Sequence, residues 1–114
     1  MEEQLHRTML FDFYGELLTE KQRRYFDLHY NEDLSLSEIA ESEGISRQGV
    51  RDTLRRAEEQ LRGYEKALRT AERFQKQERL TAAMRTLLKE SQLTDKEKDL
   101  LLLSLDGIEA IWED

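Results

Sequence analysis

The chain of 114 residues contains no cysteine, no proline and only five glycines. The absence of cysteine excludes disulfides, thiolate zinc sites and thiol catalysis, and it fits a reducing compartment. Few segments carry the turn residues that a sheet protein needs between its strands. No apolar run approaches the ~18 residues of a membrane span, and the first residues, MEEQLHRTML, lack the basic start and apolar core of a signal peptide. We therefore predict a soluble, cytoplasmic, all-α protein.

Residues typical of catalytic, metal and cofactor sites are equally scarce. The two histidines, His6 and His29, lie within helical patterns and have no ligand partner at a telling spacing. The chain has no glycine-rich phosphate loop and no nucleophile motif. We expect a binding protein that is not an enzyme and that uses no metal and no cofactor.

Charge is unevenly distributed along the chain. The net charge is −7, but residues 45–89 hold 12 basic and 6 acidic groups, whereas residues 1–44 hold 4 and 11 and residues 90–114 hold 2 and 8. The basic middle segment has two explanations. It could lie against acidic neighbours of the same chain or of a second subunit, or it could present a face to a polyanion.

Three capping boxes mark helix starts, because in each a hydroxyl and a long side chain three residues later can satisfy free backbone amides. The pairs are Thr19 with Gln22, Ser35 with Glu38, and Thr94 with Glu97. Apolar spacing predicts a first helix over Leu5–Leu18 and a second that ends near Tyr30. A short third helix is predicted over Leu36–Glu43, ended by Gly44.

The segment Leu36–Arg55, LSEIAESEGISRQGVRDTLR, has the pattern of a helix-turn-helix motif. Such a motif needs a small residue where its two helices cross and a glycine where the chain reverses. Ala40 and Gly44 meet these two requirements. Branched apolar residues that would hold the second helix onto the first follow at suitable positions: Ile39, Ile45 and Val50.

The second helix of this motif carries polar residues that we expect to face outward and to contact nucleic acid: Ser46, Arg47, Gln48, Arg51, Arg55 and Arg56. Arg47, Arg51 and Arg55 are four residues apart and therefore share a helix face. Arginine can fork onto phosphate or onto the acceptors of guanine. The alternatives are that these arginines pair with carboxylates of the protein, or that the motif contacts another protein.

Apolar residues then recur every four and three residues, which predicts a heptad seam on a long central helix. The seam consists of Val50, Leu54, Ala57, Leu61, Tyr64, Leu68 and Ala71. Any bend is expected near residues 75–80, where the apolar line is lost. A further helix is predicted from about Leu80, followed by one or two short closing helices interrupted near Gly107. We interpret residues 1–75 as the helix-turn-helix domain with its long helix, and residues 76–114 as a helical extension that packs on the same unit.

The seam also bears on self-association. It offers more apolar surface than the two preceding helices need for one small core. We therefore predict a homodimer whose interface contains Leu54, Leu61, Tyr64 and Leu68. In the alternative arrangement, the C-terminal helices cover the seam within one chain.

Several segments resemble the YlxM family of small bacterial proteins over about the first 75 residues: FDFYG (Phe11–Gly15), LLTEKQ (Leu17–Gln22), Tyr25–Leu28, LSLSEIAESEGISRQG (Leu34–Gly49) and Tyr64-Glu65. This part is also similar to region four of bacterial sigma factors, in which a helix-turn-helix reads promoter DNA. The resemblance implies that Ser46, Arg47, Gln48, Arg51 and Arg55 occupy a recognition face. It further implies a link with the signal recognition particle, whose GTPase gene neighbours the family's genes.

Two functions are consistent with these observations. The first is a regulatory or accessory protein that binds DNA or the RNA of the signal recognition particle through its helix-turn-helix. The second is a protein-interaction module that dimerises through the long helix and binds an acidic protein partner, such as a component of the particle, without nucleic acid.

Overall fold

The computed structural model describes residues 2–113 and confirms the all-α fold, since 85% of the chain is helical and the described residues contain no strand. Its α-helices are α1 (Glu2–Tyr14), α2 (Glu20–Phe26), α3 (Leu36–Glu43), α4 (Arg47–Leu68), α5 (Thr70–Glu90) and α6 (Asp95–Ala110). A 3₁₀ turn over Gly15–Leu17 follows α1, and a π-helical turn over Asp27–Asn31 extends α2. The chain divides into two compact units, Met1–Ala71 and Glu72–Asp114.

All three predicted capping boxes are present at the starts of α2, α3 and α6. In each, the hydroxyl of the cap residue accepts a hydrogen bond from the backbone N–H three residues later, and that residue's side chain accepts one from the cap backbone. Hydrogen bonds from the Ser35 backbone amide, and then from its hydroxyl, hold the pKa of Glu38 below its usual value. The same arrangement with Thr94 lowers the pKa of Glu97. These local signals set the boundaries of α3 where the sequence predicts them.

The core of the first unit forms around the inner face of α4, which contacts α1, α2 and α3. Four residues at heptad spacing on this face are buried: Val50, Leu54, Ala57 and Leu61. They pack in one apolar cluster with the buried side chains of the first three helices and their connections, which include Leu10, Tyr14, Leu18, Tyr25, Phe26 and Ile39. These four positions of the heptad seam therefore form the intramolecular contact line of α4.

This burial corrects the predicted dimer interface at two positions. Leu54 and Leu61 expose only 5% and 0% of their surface within a single chain, so a second copy could reach them only if the core opened. Tyr64 is half-buried, with its ring centroid 5.9 Å from that of Tyr14. Leu68 is exposed. The heptad pattern correctly identifies the buried face of α4 from Val50 to Leu61, and α1, α2 and α3 cover that part of the seam.

The long helix ends earlier than its apolar spacing predicts. α4 stops at Leu68, and Arg69 takes a left-handed conformation with φ 57° before α5 begins. The predicted bend near residues 75–80 is therefore wrong, because α5 runs through that segment without a break.

Hydrogen bonds from a distant helix explain the position of this junction. The buried Tyr14 hydroxyl donates to Glu65 Oε1 at 2.6 Å and accepts from the Thr70 N–H at 3.1 Å. The same Glu65 oxygen accepts from the Ala71 N–H at 3.0 Å. Because the first amides of a helix have no partner within it, these contacts stabilise the start of α5 directly after Arg69.

The second unit is an antiparallel pair formed by α5 and α6. Arg85 on α5 donates to Asp106 at 2.7 Å and to Glu109 at 3.1 Å, and these hydrogen bonds raise its pKa. Phe74 and Trp112 meet edge to face, with ring centroids 5.1 Å apart. The predicted start of a helix near Leu80 and the predicted interruption near Gly107 are both wrong. A single glycine costs a helix only about 1 kcal/mol, which neighbouring contacts can offset.

Replacing Gly63 with alanine should stabilise the protein by about 0.5–1 kcal/mol, because this residue lies inside α4 and an added Cβ would meet nothing within 4 Å. Gly44 is the matched contrast. Its φ of 69° means that Gly44→Ala should destabilise the protein by about 1–2 kcal/mol. Urea unfolding followed by circular dichroism measures both changes. Equal effects of the two substitutions would contradict this account of the turn.

Removing one hydroxyl tests the junction between α4 and α5. Tyr14→Phe should lower the free energy of unfolding by about 1–3 kcal/mol, since it deprives the Glu65 carboxylate and the Thr70 amide of a partner. Tyr64→Phe is the control. Among residues 2–113, the Tyr64 hydroxyl reaches only the Leu17 carbonyl, at 3.5 Å, and it should contribute less than about 0.5 kcal/mol. A loss from Tyr64→Phe as large as that from Tyr14→Phe would refute the assignment.

Candidate nucleic-acid interface

The helix-turn-helix consists of α3, a turn over residues 44–46, and α4. Gly44 ends α3 in the left-handed region, and the Ile45 N–H donates to the Ala40 carbonyl at 3.1 Å. Ser46 then starts α4 by accepting a hydrogen bond from the Gly49 N–H at 3.0 Å. Val50 is fully buried in the same core cluster as residues of α3. This packing fixes which side of α4 faces the core.

The six residues predicted to contact nucleic acid are all exposed, and they lie on the first turns of α4 or directly before it. Ser46 already serves as the helix cap, so its position is set by the fold. Arg47 Nη1 donates to the Ser37 hydroxyl of α3 at 3.3 Å. Gln48 donates to the Asp52 carboxylate at 3.0 Å. These three side chains are therefore held against the motif itself.

The remaining three arginines differ in how far the protein occupies them. Arg51 and Arg56 form no hydrogen bond, ion pair or ring contact with any residue that the structure describes. Arg55 pairs with Glu59 at 3.1 Å, but the two side chains are 59% and 64% exposed. An exposed ion pair of this kind contributes little to the stability of the fold, and its attraction is screened by salt. A phosphate could therefore replace Glu59 as the partner of Arg55.

Other charges near the motif are neutralised within the chain. Arg24 of α2 forms a bidentate ion pair with Glu43 of α3, with hydrogen bonds of 2.9 and 3.1 Å. This hydrogen bonding raises the pKa of Arg24. On α4, Glu58 is paired with Arg7 at 2.5 Å and with Arg62 at 3.7 Å. These pairs reduce the negative charge that would otherwise oppose a polyanion on this side of the molecule.

Two residues that support the site escaped the sequence reasoning. Ser37 orients Arg47, and Glu43 is held by Arg24. Ser37 lies ten positions before Arg47, and Arg24 lies 19 positions before Glu43. No periodic signal connects residues at these separations, because both contacts depend on how the short helices pack.

Residues 2–113 contain neither the side-chain cluster of a metal site nor a helix suited to crossing a membrane. No group of three or more histidine, cysteine, aspartate or glutamate side chains there could hold a metal ion. None of the helices in that range is both long enough and apolar enough to cross a membrane.

Two helices that are adjacent in sequence pack against each other across a glycine turn, and the second helix carries exposed arginines. This arrangement defines a helix-turn-helix protein. Comparison with known families agrees. The chain belongs to the UPF0122 family, described as "Putative helix-turn-helix protein, YlxM / p13 like", whose profile matches residues 1–101.

Bacillus relatives carry the same family name. A UPF0122 protein of Bacillus mycoides (strain KBAB4) is 39% identical over 109 residues, which is 96% of this chain and 99% of the relative. UPF0122 proteins of Bacillus cereus (strain AH187) and Bacillus anthracis (strain A0248) are each 38% identical over the same shares of both chains. The motifs that resemble this family cover about the first 75 residues, and the profile match extends the similarity to residue 101, within the second unit.

Proposed function

We propose that this protein is a regulatory or accessory factor that binds nucleic acid through the exposed arginines of α4, acts in the cytoplasm and is not an enzyme. The observation that carries the proposal is that Arg51 and Arg56 are exposed and unpaired among the described residues. They lie beside a helix-turn-helix whose packing directs them outward.

The arginines have separate tasks in this proposal. Arg51, Arg55 and Arg56 bind phosphates, which supplies affinity without sequence preference. Gln48, after releasing Asp52, and Arg51 are placed to read base edges, since both side chains can form paired hydrogen bonds with purines. Arg47 stays linked to α3 through Ser37 while it contacts the backbone of the nucleic acid.

The shape of the motif favours duplex DNA as its target. The major groove of B-form DNA admits an α-helix, whereas that of A-form RNA is too deep and narrow for side chains to read. The RNA of the signal recognition particle is the second polyanion to test, because of the resemblance to the YlxM family. On this RNA the same arginines would bind phosphates and unpaired bases.

An acidic protein partner is the competing function. An acidic partner would bind the same exposed arginines. This hypothesis also includes a dimer formed through the long helix, but Leu54 and Leu61 are buried and therefore cannot contribute to the dimer interface. The structure therefore supports the nucleic-acid reading more strongly.

Fluorescence anisotropy tests this proposal with three labelled probes: a mixed-sequence duplex DNA, the signal recognition particle RNA of Bacillus cereus, and polyglutamate. Binding of at least one nucleic acid should weaken steeply between about 50 and about 200 mM salt. Arg51→Ala combined with Arg56→Ala should weaken it about tenfold at low salt and reduce the slope of log affinity against log salt by about two. Both side chains are solvent-exposed, so the fold should be unaffected.

The charge-matched control removes two exposed lysines of the second unit, Lys89→Ala with Lys96→Ala. This variant should bind within about twofold of the unmodified protein, because these lysines lie outside the helix-turn-helix. The proposal is overturned if the arginine variant binds like the control. Polyglutamate binding as tight as that of both nucleic acids would overturn it as well, in favour of an acidic protein partner.

A further inference from the structure

The second unit buries very little of its apolar surface. Between residues 72 and 113, Thr81 and Leu105 are the buried side chains. Large apolar residues of this unit are instead exposed, among them Leu80, Met84, Leu87, Leu100, Leu103 and Ile111. Leu80 and Leu87 are each 67% exposed and Ile111 is 75% exposed. Exposed large apolar residues in this number on two helices indicate an interaction surface.

The exposed residues are regularly spaced. Leu80, Met84 and Leu87 follow one another by four and three residues on α5, so they share a face. Leu100 and Leu103 have a three-residue separation on α6, and Ile111 lies eight residues further on, close to the same line. The contacts that join the two helices use other positions, Arg85 with Asp106 and Glu109. The hairpin therefore has apolar faces that its own pairing leaves uncovered.

The charges on the two helices indicate what covers these faces. α5 carries five basic and three acidic residues, whereas α6 carries five acidic and two basic residues. Arg73 and Arg79 of α5, and Asp95 and Asp99 of α6, have no partner among the described residues. One hairpin thus presents a basic helix and an acidic helix, each with an apolar face.

Such a surface is complementary to itself. When two hairpins meet about a two-fold axis, α5 of each copy faces α6 of the other, so that opposite charges are paired twice. The apolar faces of the four helices then meet in the interior, as in a four-helix bundle. An unrelated partner would need its own acidic surface opposite α5 and its own basic surface opposite α6.

We propose that a second copy of this chain docks on the α5–α6 hairpin and that the two hairpins form a four-helix dimerisation module. This surface is separate from the seam of α4, which is buried in the first unit. The resulting dimer carries two helix-turn-helix motifs, and such a protein reads two half-sites on DNA. The dimer does not depend on nucleic acid, so it can be tested without any.

Sedimentation equilibrium of the full chain, without nucleic acid, should give twice the 13.6 kDa mass of one chain at tens of micromolar. Leu103→Gln with Ile111→Gln should raise the dissociation constant about tenfold or more. Glutamine keeps the net charge and suits a helix. The two residues are exposed in one chain, so circular dichroism should show unchanged helicity.

The matched control places the same substitutions on exposed leucines of the first unit, Leu5→Gln with Leu17→Gln. These residues are 68% and 57% exposed, and their replacement should leave the dissociation constant within about twofold. The proposal is refuted if the unmodified protein is a monomer, if the hairpin variant dimerises normally, or if the control weakens the dimer equally.

Charge reversal tests the arrangement of α5 on α6. One variant carries Arg73→Glu with Arg79→Glu, and the other carries Asp95→Lys with Asp99→Lys. Each alone places like charges across both contacts and should sediment as a monomer. An equal mixture should recover the dimer, because both contacts are then again between opposite charges. A mixture that stays monomeric, or single variants that dimerise as well as the unmodified chain, would exclude this arrangement.

Discussion

The burial of one face of α4 organises the first unit. Val50, Leu54, Ala57 and Leu61 contribute an unbroken apolar line to the core, and α1, α2 and α3 are placed by packing against it. Apolar burial is the main favourable term in folding, so this face cannot turn outward without loss of the core. The solvent-facing side of α4 is the side that bears on function. With the inner face committed, arginines between the apolar positions must lie towards solvent, and the helix-turn-helix geometry follows from the same contacts.

Intramolecular ion pairs then decide which charges remain available. Glu43 and Glu58 are matched by arginines of α2, α1 and α4, whereas Arg51 and Arg56 are left exposed. An acidic chain can therefore still present basic groups locally. In the second unit, Arg85 is paired with Asp106 and Glu109, whereas Arg73, Arg79, Asp95 and Asp99 have no partner among the described residues.

Local patterns in the sequence predicted much of the first unit. The three capping boxes, the bounds of α3 and the glycine turn depend on residues within about four positions of each other, and the structure contains all of them. The wrong predictions concern contacts between residues that are far apart in the sequence. Heptad spacing indicates that a helix face is buried. The same spacing occurs whether the face packs against a partner chain or against the chain's own core. The end of α4 was missed because Tyr14 and Glu65 are 51 residues apart.

By itself, the sequence determined the helical class, the starts of α2, α3 and α6 and the position of the helix-turn-helix. These features follow from propensity, capping and spacing along one helix. Only the tertiary structure decided which apolar face is covered, where α4 gives way to α5, and which arginines are unpaired. Each of these depends on groups brought together from distant positions. Periodicity along the chain records that a face is apolar, but the identity of its partner is a property of the packed molecule.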